Sequence, residues 1–260
     1  MKISIITTVK NGARYIFETL ESIKNQRFKD FEHIIIDDGS TDDTVTIIKD
    51  YQEKNPEYKL KLYQPGNLGR GKALNYAISK SSNEWIAIID ADDLWHPQKL
   101  EIQYKIVQEN NIDVLATQTT LFSDSRDLEF SETAKQEIYY FRVSDLLWSN
   151  KISHSSVLIK KAICNYDENR KSQFDYQLWM RLISKNYNLA VVKTILSYHR
   201  LHENQSFEGK MGYKYRLRSF KINAHYIIKN YRFDILLVKF IKLIVTLIIP
   251  RKYIHKTLKK

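Results

Sequence analysis

Short apolar runs alternate with amphipathic stretches along the first ninety residues of the chain. The predicted strands are residues 3–8, 33–36, 60–63 and 85–89. The predicted helices lie near residues 16–23, 41–51 and 71–78. Strands that alternate with helices indicate a mainly parallel sheet with helices on both faces. In such a sheet, ligands bind at the carboxyl ends of the strands.

The pattern is less regular in the middle of the chain. Residues 110–161 contain short apolar runs separated by loop-like clusters of Ser and Asp. A helix is predicted at residues 175–184 and a further strand at 189–196. We therefore expect one layered, Rossmann-like α/β domain over residues 1–206.

The C-terminal residues 207–260 differ in charge from the rest of the chain. They carry 14 Lys and Arg against two acidic residues, a net charge of +12, whereas residues 1–206 have a net charge of −1. The apolar helix predicted at residues 235–249 bears Lys239, Lys242 and Thr246 on one stripe. Such a basic amphipathic region is typical of attachment to an anionic membrane surface. Packing on the α/β domain and self-association remain open alternatives.

Composition excludes several classes of protein. Hydrophobic residues at 43% and aromatic residues at 12% exclude wholesale disorder. The single cysteine, Cys164, excludes an internal disulfide and a cysteine-rich zinc site, and favours a cytoplasmic location. The first apolar run is too short for a signal peptide. The chain lacks a Gly-x-Gly-x-x-Gly loop and a Walker motif, which disfavours dinucleotide dehydrogenases and P-loop enzymes.

The segment Asp90-Ala91-Asp92 follows the predicted strand at 85–89. Carboxylates two residues apart at a strand end point to the same side, so they can approach one divalent cation. Mn²⁺ or Mg²⁺ accepts such oxygen ligands together with phosphate and water. The alternative is a turn in which Asp92 or Asp93 caps the next helix.

The segment Asp37-Asp38-Gly39-Ser40-Thr41-Asp42 ends the second predicted strand. A carboxylate in this position can accept hydrogen bonds from a nucleobase imide or a ribose hydroxyl. The alternative is a glycine turn in which Ser40 or Thr41 caps the helix that follows.

Four segments in order carry a family resemblance. They are Thr8-Val9-Lys10-Asn11-Gly12, the Asp37–Asp42 segment, Asn67-Leu68-Gly69 with Ala73-Leu74-Asn75, and Asp90-Ala91-Asp92-Asp93. This ordered set resembles glycosyltransferase family 2. The resemblance covers residues 1–206 and implies the GT-A fold, a nucleotide-sugar donor and inversion at the transferred sugar.

The resemblance implies a set of residues that bind the nucleotide sugar. They are Thr7, Thr8, Val9, Asn11, Asp37, Asp38, Asn67, Gly71, Lys72, Asn75, Asp90 and Ala91. It implies that Asp92 holds a diphosphate-bound metal, and family frequency favours UDP. The chain departs from the family at Thr8 and Lys10, where Pro-x-Tyr-Asn is common, and at Leu74, where Arg is common. Lys72 or Arg70 is expected to supply the missing positive charge.

The segment Phe174-Asp175-Tyr176-Gln177-Leu178-Trp179-Met180-Arg181-Leu182 resembles a second family motif. In that motif the aspartate is the general base, which implies this role for Asp175. A single carboxylate suffices, because an acceptor hydroxyl loses one proton as it attacks the anomeric carbon. The alternative is that Asp175 caps a helix beginning at Tyr176. Many relatives have an acidic residue where this chain has Phe174.

Histidines follow the last predicted strand in the segment 198–206, which matches the family's Tyr-Arg-x-His motif. His202 occupies the motif position, which implies a role in the metal shell or at the diphosphate. A solvent-facing loop position is the alternative for His202 and the expectation for His199. His154 is expected to be structural, with a place on the acceptor side as the alternative.

The sequence therefore predicts an inverting glycosyltransferase. It would move a sugar from a nucleoside-diphosphate donor to a hydroxyl of a lipid-linked glycan, in cell-surface polysaccharide synthesis at the cytoplasmic face of the membrane. One alternative is a sugar-nucleotide-binding scaffold without catalysis. A nucleic-acid-binding protein is disfavoured, because the basic residues are interleaved with aliphatic rather than stacking aromatic residues.

Overall fold

The computed structural model describes residues 2–128, 130, 136–170, 172–202, 212–229 and 232–248. The chain forms two compact units. The first comprises Met1–Phe141 and Lys151–Leu201, and the second comprises Arg142–Asn150 and His202–Lys260. The predicted domain boundary after residue 206 lies outside the described residues.

The first unit is built on one sheet of nine strands. The strands are β1 (Ile3–Val9), β2 (Phe31–Asp37), β3 (Leu60–Tyr63), β4 (Trp85–Ile88), β5 (Leu94–Trp95), β6 (Val114–Phe122), β7 (Ile138–Tyr140), β8 (Leu158–Lys160) and β9 (Leu189–Arg200). Their order is β3-β2-β1-β4-β8-β6-β9-β5, and β7 pairs with β9. The four strands predicted in the first ninety residues form its parallel half. The predicted layered α/β fold is confirmed.

Eight α-helices lie within the described residues. Five belong to the first unit: α1 (Ile16–Lys24), α2 (Thr44–Lys54), α3 (Arg70–Lys80), α4 (Lys99–Glu109) and α6 (Phe174–Ile183). Three belong to the second unit: α5 (Val143–Trp148), α7 (Gly212–Lys229) and α8 (Phe233–Ile248). Helix α2 begins at Thr44 rather than at the predicted residue 41, because the Asp42 carboxylate accepts the Thr44 N–H and extends the loop.

Three of the parallel strands, β1, β2 and β4, are buried along nearly their whole length. Strands β1, β2 and β4 carry long runs of buried isoleucine, which is typical of a sheet covered on both faces. Their register places Val9 opposite Asp37, and the Asp38 N–H donates to the Val9 carbonyl at 2.8 Å. The Ile89 N–H donates to the Ile6 carbonyl at 3.1 Å, beside the start of the 90–93 loop. The core therefore brings three polar loops to one edge of the sheet.

In the second unit, α7 packs against α8. Ile222, Ile227 and Ile235 are buried there, whereas six large apolar side chains described in α8 are exposed. The exposed side chains are Phe233, Leu237, Val238, Phe240, Ile241 and Ile244. The side chains of Lys242 and Thr246, and all of residue 249, lie outside the described part of the structure. Within the described residues, no helix combines the length and the hydrophobicity needed to cross a membrane.

Candidate active site

The first polar loop (residues 10–15) follows β1, and the second polar loop (residues 38–43) follows β2. The main chain and side chain of Asn11 join these two loops. Its N–H donates to Ser40 Oγ at 2.8 Å, and its Oδ1 accepts the Thr41 N–H at 2.8 Å. Asn11 has a φ of +55°, a left-handed conformation that asparagine tolerates better than most residues. The predicted grouping of these two loops is therefore present in the folded chain.

Residues 7–9, at the end of β1, are less accessible than Asn11. Thr7 is fully buried, and its hydroxyl is hydrogen-bonded at 2.9 Å to Nε2 of His33. Burial lowers the pKa of His33 to about 3, so this imidazole is neutral near pH 7. Thr8 is half-buried and Val9 is buried. The Thr7 side chain therefore joins β1 to β2 just before the loop that contains Asn11. Its direct contact with the nucleotide stays a prediction.

Asp37 and Asp38 are both buried and bind backbone N–H groups. Asp37 accepts the Ser40 N–H at 3.2 Å. Asp38 accepts the N–H groups of Leu68 at 2.6 Å and Gly69 at 3.1 Å. Asp38 thus fixes the segment that leads into α3, and this carboxylate has a structural task besides its predicted contact with the nucleotide.

Asn67 lies against the second polar loop. Its Oδ1 accepts a hydrogen bond from Lys10 Nζ at 2.5 Å. A Cβ atom at Gly39, where φ is +83°, would lie 2.7 Å from that oxygen. Glycine is therefore required at this position by both backbone conformation and space. The close approach confirms that the 37–42 and 67–69 segments meet.

Helix α3 presents three of the predicted residues in three different settings. Gly71 is buried, and a Cβ atom there would lie 2.9 Å from the Phe174 ring. Lys72 is exposed. The Asn75 amide donates to the Tyr166 carbonyl and to Glu168 at 2.9 Å each, and its oxygen accepts the Tyr166 N–H. Asn75 therefore anchors the 166–168 segment, a role that its predicted nucleotide contact did not anticipate.

Asp90 lies in a cluster of charged and polar groups. Its Oδ1 accepts a hydrogen bond from Arg70 Nη2 at 2.5 Å and lies 3.3 Å from His154 Nδ1. Burial by itself would raise the pKa of Asp90, but the charges and hydrogen bonds of Arg70 and His154 lower it far below its usual range. Asp90 is therefore ionised at neutral pH.

His154 is a buried residue with both ring nitrogens engaged. Its Nδ1 faces Asp90, and its Nε2 is hydrogen-bonded to the Tyr166 hydroxyl at 2.8 Å. The adjacent Ser155 Oγ accepts the Asp90 N–H at 3.0 Å. His154 is therefore part of the cluster around Asp90, and both the structural role expected for it and the acceptor-side alternative stay predictions.

Asp175 lies in the first turn of α6 and is half-buried. The residue that precedes the helix is Gln173, at a φ of +57°, so the alternative in which Asp175 caps a helix starting at Tyr176 is wrong. The pKa of Arg70 is raised chiefly by Asp90, and the charges of Asp175 and Asp92 raise it further. The Arg70 guanidinium therefore lies in the combined field of three carboxylates, and this field includes the expected base.

The 90–93 loop can contribute carboxylate ligands to a metal ion. Asp90 and Asp92 are half-buried, and Mg²⁺ or Mn²⁺ bound with a diphosphate needs one or two protein carboxylates. The residues present therefore fit such an ion. Across the described residues, no three His, Cys, Asp or Glu side chains are grouped so that they could hold a metal by themselves. His202 belongs to the second unit, and its predicted metal role stays a prediction.

Asp93 and His199 form a pair that the sequence analysis missed. The Asp93 carboxylate is buried and lies 3.0 Å from His199 Nδ1. The hydrogen bond to Asp93 raises the pKa of His199 to about 9, so His199 is not simply a loop residue in solvent.

The alternative in which Asp92 or Asp93 caps α4 is also wrong, because Gln98 precedes that helix and no side chain caps it.

The sequence analysis also missed Arg200. It is buried, and its Nε donates to the Asp92 carbonyl at 2.9 Å. Strand pairing of Leu94 with Tyr198 brings the end of β9 to this loop. The sequence offered one signal for Arg200, because it is the arginine of the Tyr-Arg-x-His motif. The pairing of β5 with β9, which brings Arg200 to Asp92, could not be read from the sequence.

The chain is similar in sequence to known glycosyltransferases. The family model for glycosyl transferase family 2 matches residues 4–163. The uncharacterized glycosyltransferase MJ1057 of Methanocaldococcus jannaschii is 29% identical over 236 residues, which cover 87% of this chain and 78% of that protein. The O-antigen biosynthesis glycosyltransferase WbnJ of Escherichia coli is 28% identical over 229 residues, with coverage of 84% and 88%.

Two solved structures show the same fold. S. aureus TarS 1–349 in complex with UDP-GlcNAc has a TM-score of 0.69 at 22% identity, covering 91% of this chain and 70% of that one. The mannosyltransferase PcManGT of Pyrobaculum calidifontis, in complex with GDP-Man and Mn²⁺, has a TM-score of 0.64 at 17% identity, covering 93% and 69%. The first unit has the GT-A fold that the sequence implied. The chain belongs to glycosyltransferase family 2.

Proposed function

We propose that this protein transfers a sugar, with inversion, from a nucleoside-diphosphate donor to a hydroxyl of a glycan. UDP is the nucleotide that we expect. The observation that carries the proposal is the position of Arg70, which binds Asp90 and lies in the field of both Asp92 and Asp175. Asp90 and Asp92, expected to lie near the diphosphate, and Asp175, the expected base, therefore all interact with the charge of Arg70. TarS with UDP-GlcNAc and PcManGT with GDP-Man and Mn²⁺ support the donor class and a divalent metal.

In this reaction Asp175 accepts the proton of the acceptor hydroxyl. The hydroxyl oxygen forms a bond to the anomeric carbon as the bond from that carbon to the diphosphate breaks on the opposite face, which inverts the configuration. Asp92, with Asp90, would hold the divalent ion, and a bound ion would neutralise charge on the departing diphosphate. Arg70 adds a positive charge on the same side.

The acceptor proposal is a lipid-linked glycan in polysaccharide biosynthesis. WbnJ, which matches most of this chain, is named for O-antigen biosynthesis, and this name supports a cell-surface polysaccharide as the product. We propose that the enzyme adds the sugar to this glycan at the cytoplasmic face of the membrane.

The second unit supports attachment to that membrane. Leu237, Phe240 and Ile241 of α8 are each about half exposed or more, and residues 207–260 carry a net charge of +12. Apolar side chains that enter the lipid interface, combined with basic residues that bind anionic headgroups, are the two contributions that peripheral attachment needs.

Vesicle co-sedimentation tests this attachment. The full chain should bind vesicles that contain phosphatidylglycerol and should bind pure phosphatidylcholine vesicles much less. Leu237→Glu should weaken binding, whereas Leu121→Glu should not, although Leu121 is exposed to the same extent (60% against 61%) in the first unit. Equal binding by the two variants would contradict the role of α8.

Calorimetric titration tests the donor site. UDP, GDP and dTDP are titrated into the full chain with and without Mn²⁺. We expect one nucleotide to bind, and to bind more tightly with Mn²⁺. Asp92→Asn should remove the gain in nucleotide affinity that Mn²⁺ provides, and should retain the nucleotide affinity measured without Mn²⁺. Absence of binding by all three nucleotides under both conditions would contradict the proposed function.

A further inference from the structure

Arg200 is a buried cation at the end of β9. Its side chain is 3% exposed, and Nη2 donates to Glu18 of α1 at 2.9 Å. The guanidinium also lies against the rings of Tyr15 and Phe122, at 4.6 and 4.5 Å from their centroids. Burial of a charge is costly unless it is paired and hydrogen-bonded, so these contacts hold the guanidinium in a single position.

The guanidinium held in this way contacts the loop that carries the proposed metal ligand. Arg200 Nε donates to the Asp92 carbonyl at 2.9 Å, and the Arg200 N–H donates to Asp93 Oδ1 at 3.1 Å. The Thr19 hydroxyl donates to the Asp93 carbonyl at 2.9 Å. The loop is thus fixed by β9 and α1, through the main chain of Asp92 and both the main chain and side chain of Asp93.

We propose that Arg200 is a positioning residue for the donor site. It holds the main chain of Asp92, and thereby keeps the Asp92 carboxylate in place for the diphosphate-bound metal. This inference rests on the proposed metal role of Asp92. Groups that orient a metal ligand commonly change metal affinity by about 10- to 100-fold when they are lost.

Lysine cannot replace arginine in this position. The guanidinium reaches Asp92 through Nε and Glu18 through Nη2 at the same time, and its flat face packs on two rings. An ammonium group has one nitrogen and no flat face. Arg200→Lys therefore keeps the charge while it loses the geometry. Glu18→Gln has the complementary effect, because it removes the charge partner and leaves the bond to Asp92.

The experiment compares Arg200→Lys, Glu18→Gln and Asp92→Asn in the full chain. The matched control is Arg126→Lys, because Arg126 is an arginine with a side chain that is 87% exposed. UDP affinity is measured by calorimetry with and without Mn²⁺, and a thermal melt reports on folding. Arg200→Lys should weaken the Mn²⁺-dependent UDP affinity by about 10- to 100-fold and leave the metal-free affinity nearly unchanged. Arg126→Lys should retain both affinities. Glu18→Gln should weaken the Mn²⁺-dependent affinity by less than Arg200→Lys does, because it keeps the bond from Arg200 to the Asp92 carbonyl.

A purely structural role for Arg200 would give a different result. Arg200→Lys would then lower the melting temperature alone, or weaken both UDP affinities equally, and either result would overturn the proposal. If Arg200→Lys does not fold, Phe122→Leu removes one of the two rings from the guanidinium. That variant should weaken the Mn²⁺-dependent affinity selectively, and an unchanged Mn²⁺ dependence would overturn the proposal.

Asp92→Asn separates the failure of this inference from the failure of the proposed function. If Asp92→Asn leaves the Mn²⁺ dependence of UDP binding intact, the metal role of Asp92 is wrong and the inference about Arg200 is wrong with it. If Asp92→Asn abolishes this dependence while Arg200→Lys preserves it, only the inference about Arg200 is wrong.

Discussion

The two ends of the parallel strands carry carboxylates in contrasting environments. At the amino end, Glu32 is fully buried and accepts hydrogen bonds from Ser4 and Asn83, from the N–H and hydroxyl of Ser82, and from Lys61. At the carboxyl end, Asp90 binds the Arg70 guanidinium, which also lies in the electrostatic field of Asp92 and Asp175. The Arg70 side chain is 40% exposed.

This difference separates a structural carboxylate from one suited to chemistry. Burial by itself would raise the pKa of Glu32, but its hydrogen bonds outweigh burial and lower the pKa to about 2, so the charge is held by a complete set of protein donors. The cation at the other end is open to solvent, so a diphosphate can compete for it. An incompletely enclosed charge cluster is thus the better indicator of a binding site.

The largest expected effect is at the carboxyl end. Asp175→Asn removes the proposed base, so sugar transfer should fall by about 10²- to 10⁴-fold while UDP affinity stays within a few-fold of the parent. Transfer is measured by release of UDP in the presence of acceptor, and affinity by calorimetry. The control is Glu137→Gln, at a carboxylate that is 71% exposed in the first unit, and it should retain both turnover and UDP affinity. A collapse of UDP affinity, or normal turnover, would show that the base assignment is wrong.

At the amino end, removal of a carboxylate should lower the stability of the fold rather than the activity. Glu32→Leu removes the acceptor shared by Ser4, Ser82 and Asn83, of which Ser4 and Asn83 are buried, so the free energy of unfolding should fall by about 3 kcal/mol. Denaturant unfolding measures this change. Under native conditions the variant should bind UDP as the parent does. A loss of UDP affinity in the folded variant would mean that the two ends are not independent.

A smaller effect is expected from acid. The folded pKa of His33 is about 3, against 6.5 for the free side chain, so its contribution to stability is full above pH 6.5 and is lost as the pH falls toward 3. The Glu32 contribution is full above pH 4.5 and is lost as the pH falls toward 2. The melting temperature should therefore decrease progressively below pH 6.5. Glu32→Gln should flatten the curve below pH 4.5 only, and a melting temperature that is constant from pH 6.5 to 3 would contradict both assignments.

The sequence predicted the parallel strands well, because runs such as Ile34-Ile35-Ile36 are buried on both faces and allow few other structures. It also predicted which loops meet, because parallel strands end at one edge. It did not predict contacts that depend on distant pairing. The Arg200 bond to Asp92 requires β5 and β9 to be neighbours, and the task of Asn75 depends on the fold of the 166–168 segment. The start of α2 was missed because one local bond, from Thr44 to Asp42, decides it.

The contact between Gly71 and Phe174 has a consequence for engineering of this enzyme. A Cβ at Gly71 would lie 2.9 Å from the Phe174 ring and 3.3 Å from the Asp167 carbonyl, so α3 and the start of α6 fit each other as a matched pair. A chimera that takes α6 from a relative to change acceptor choice should therefore import the facing turn of α3 with it. If the two segments are exchanged separately, the residue that replaces Phe174 will either collide with α3 or leave a gap next to Asp175.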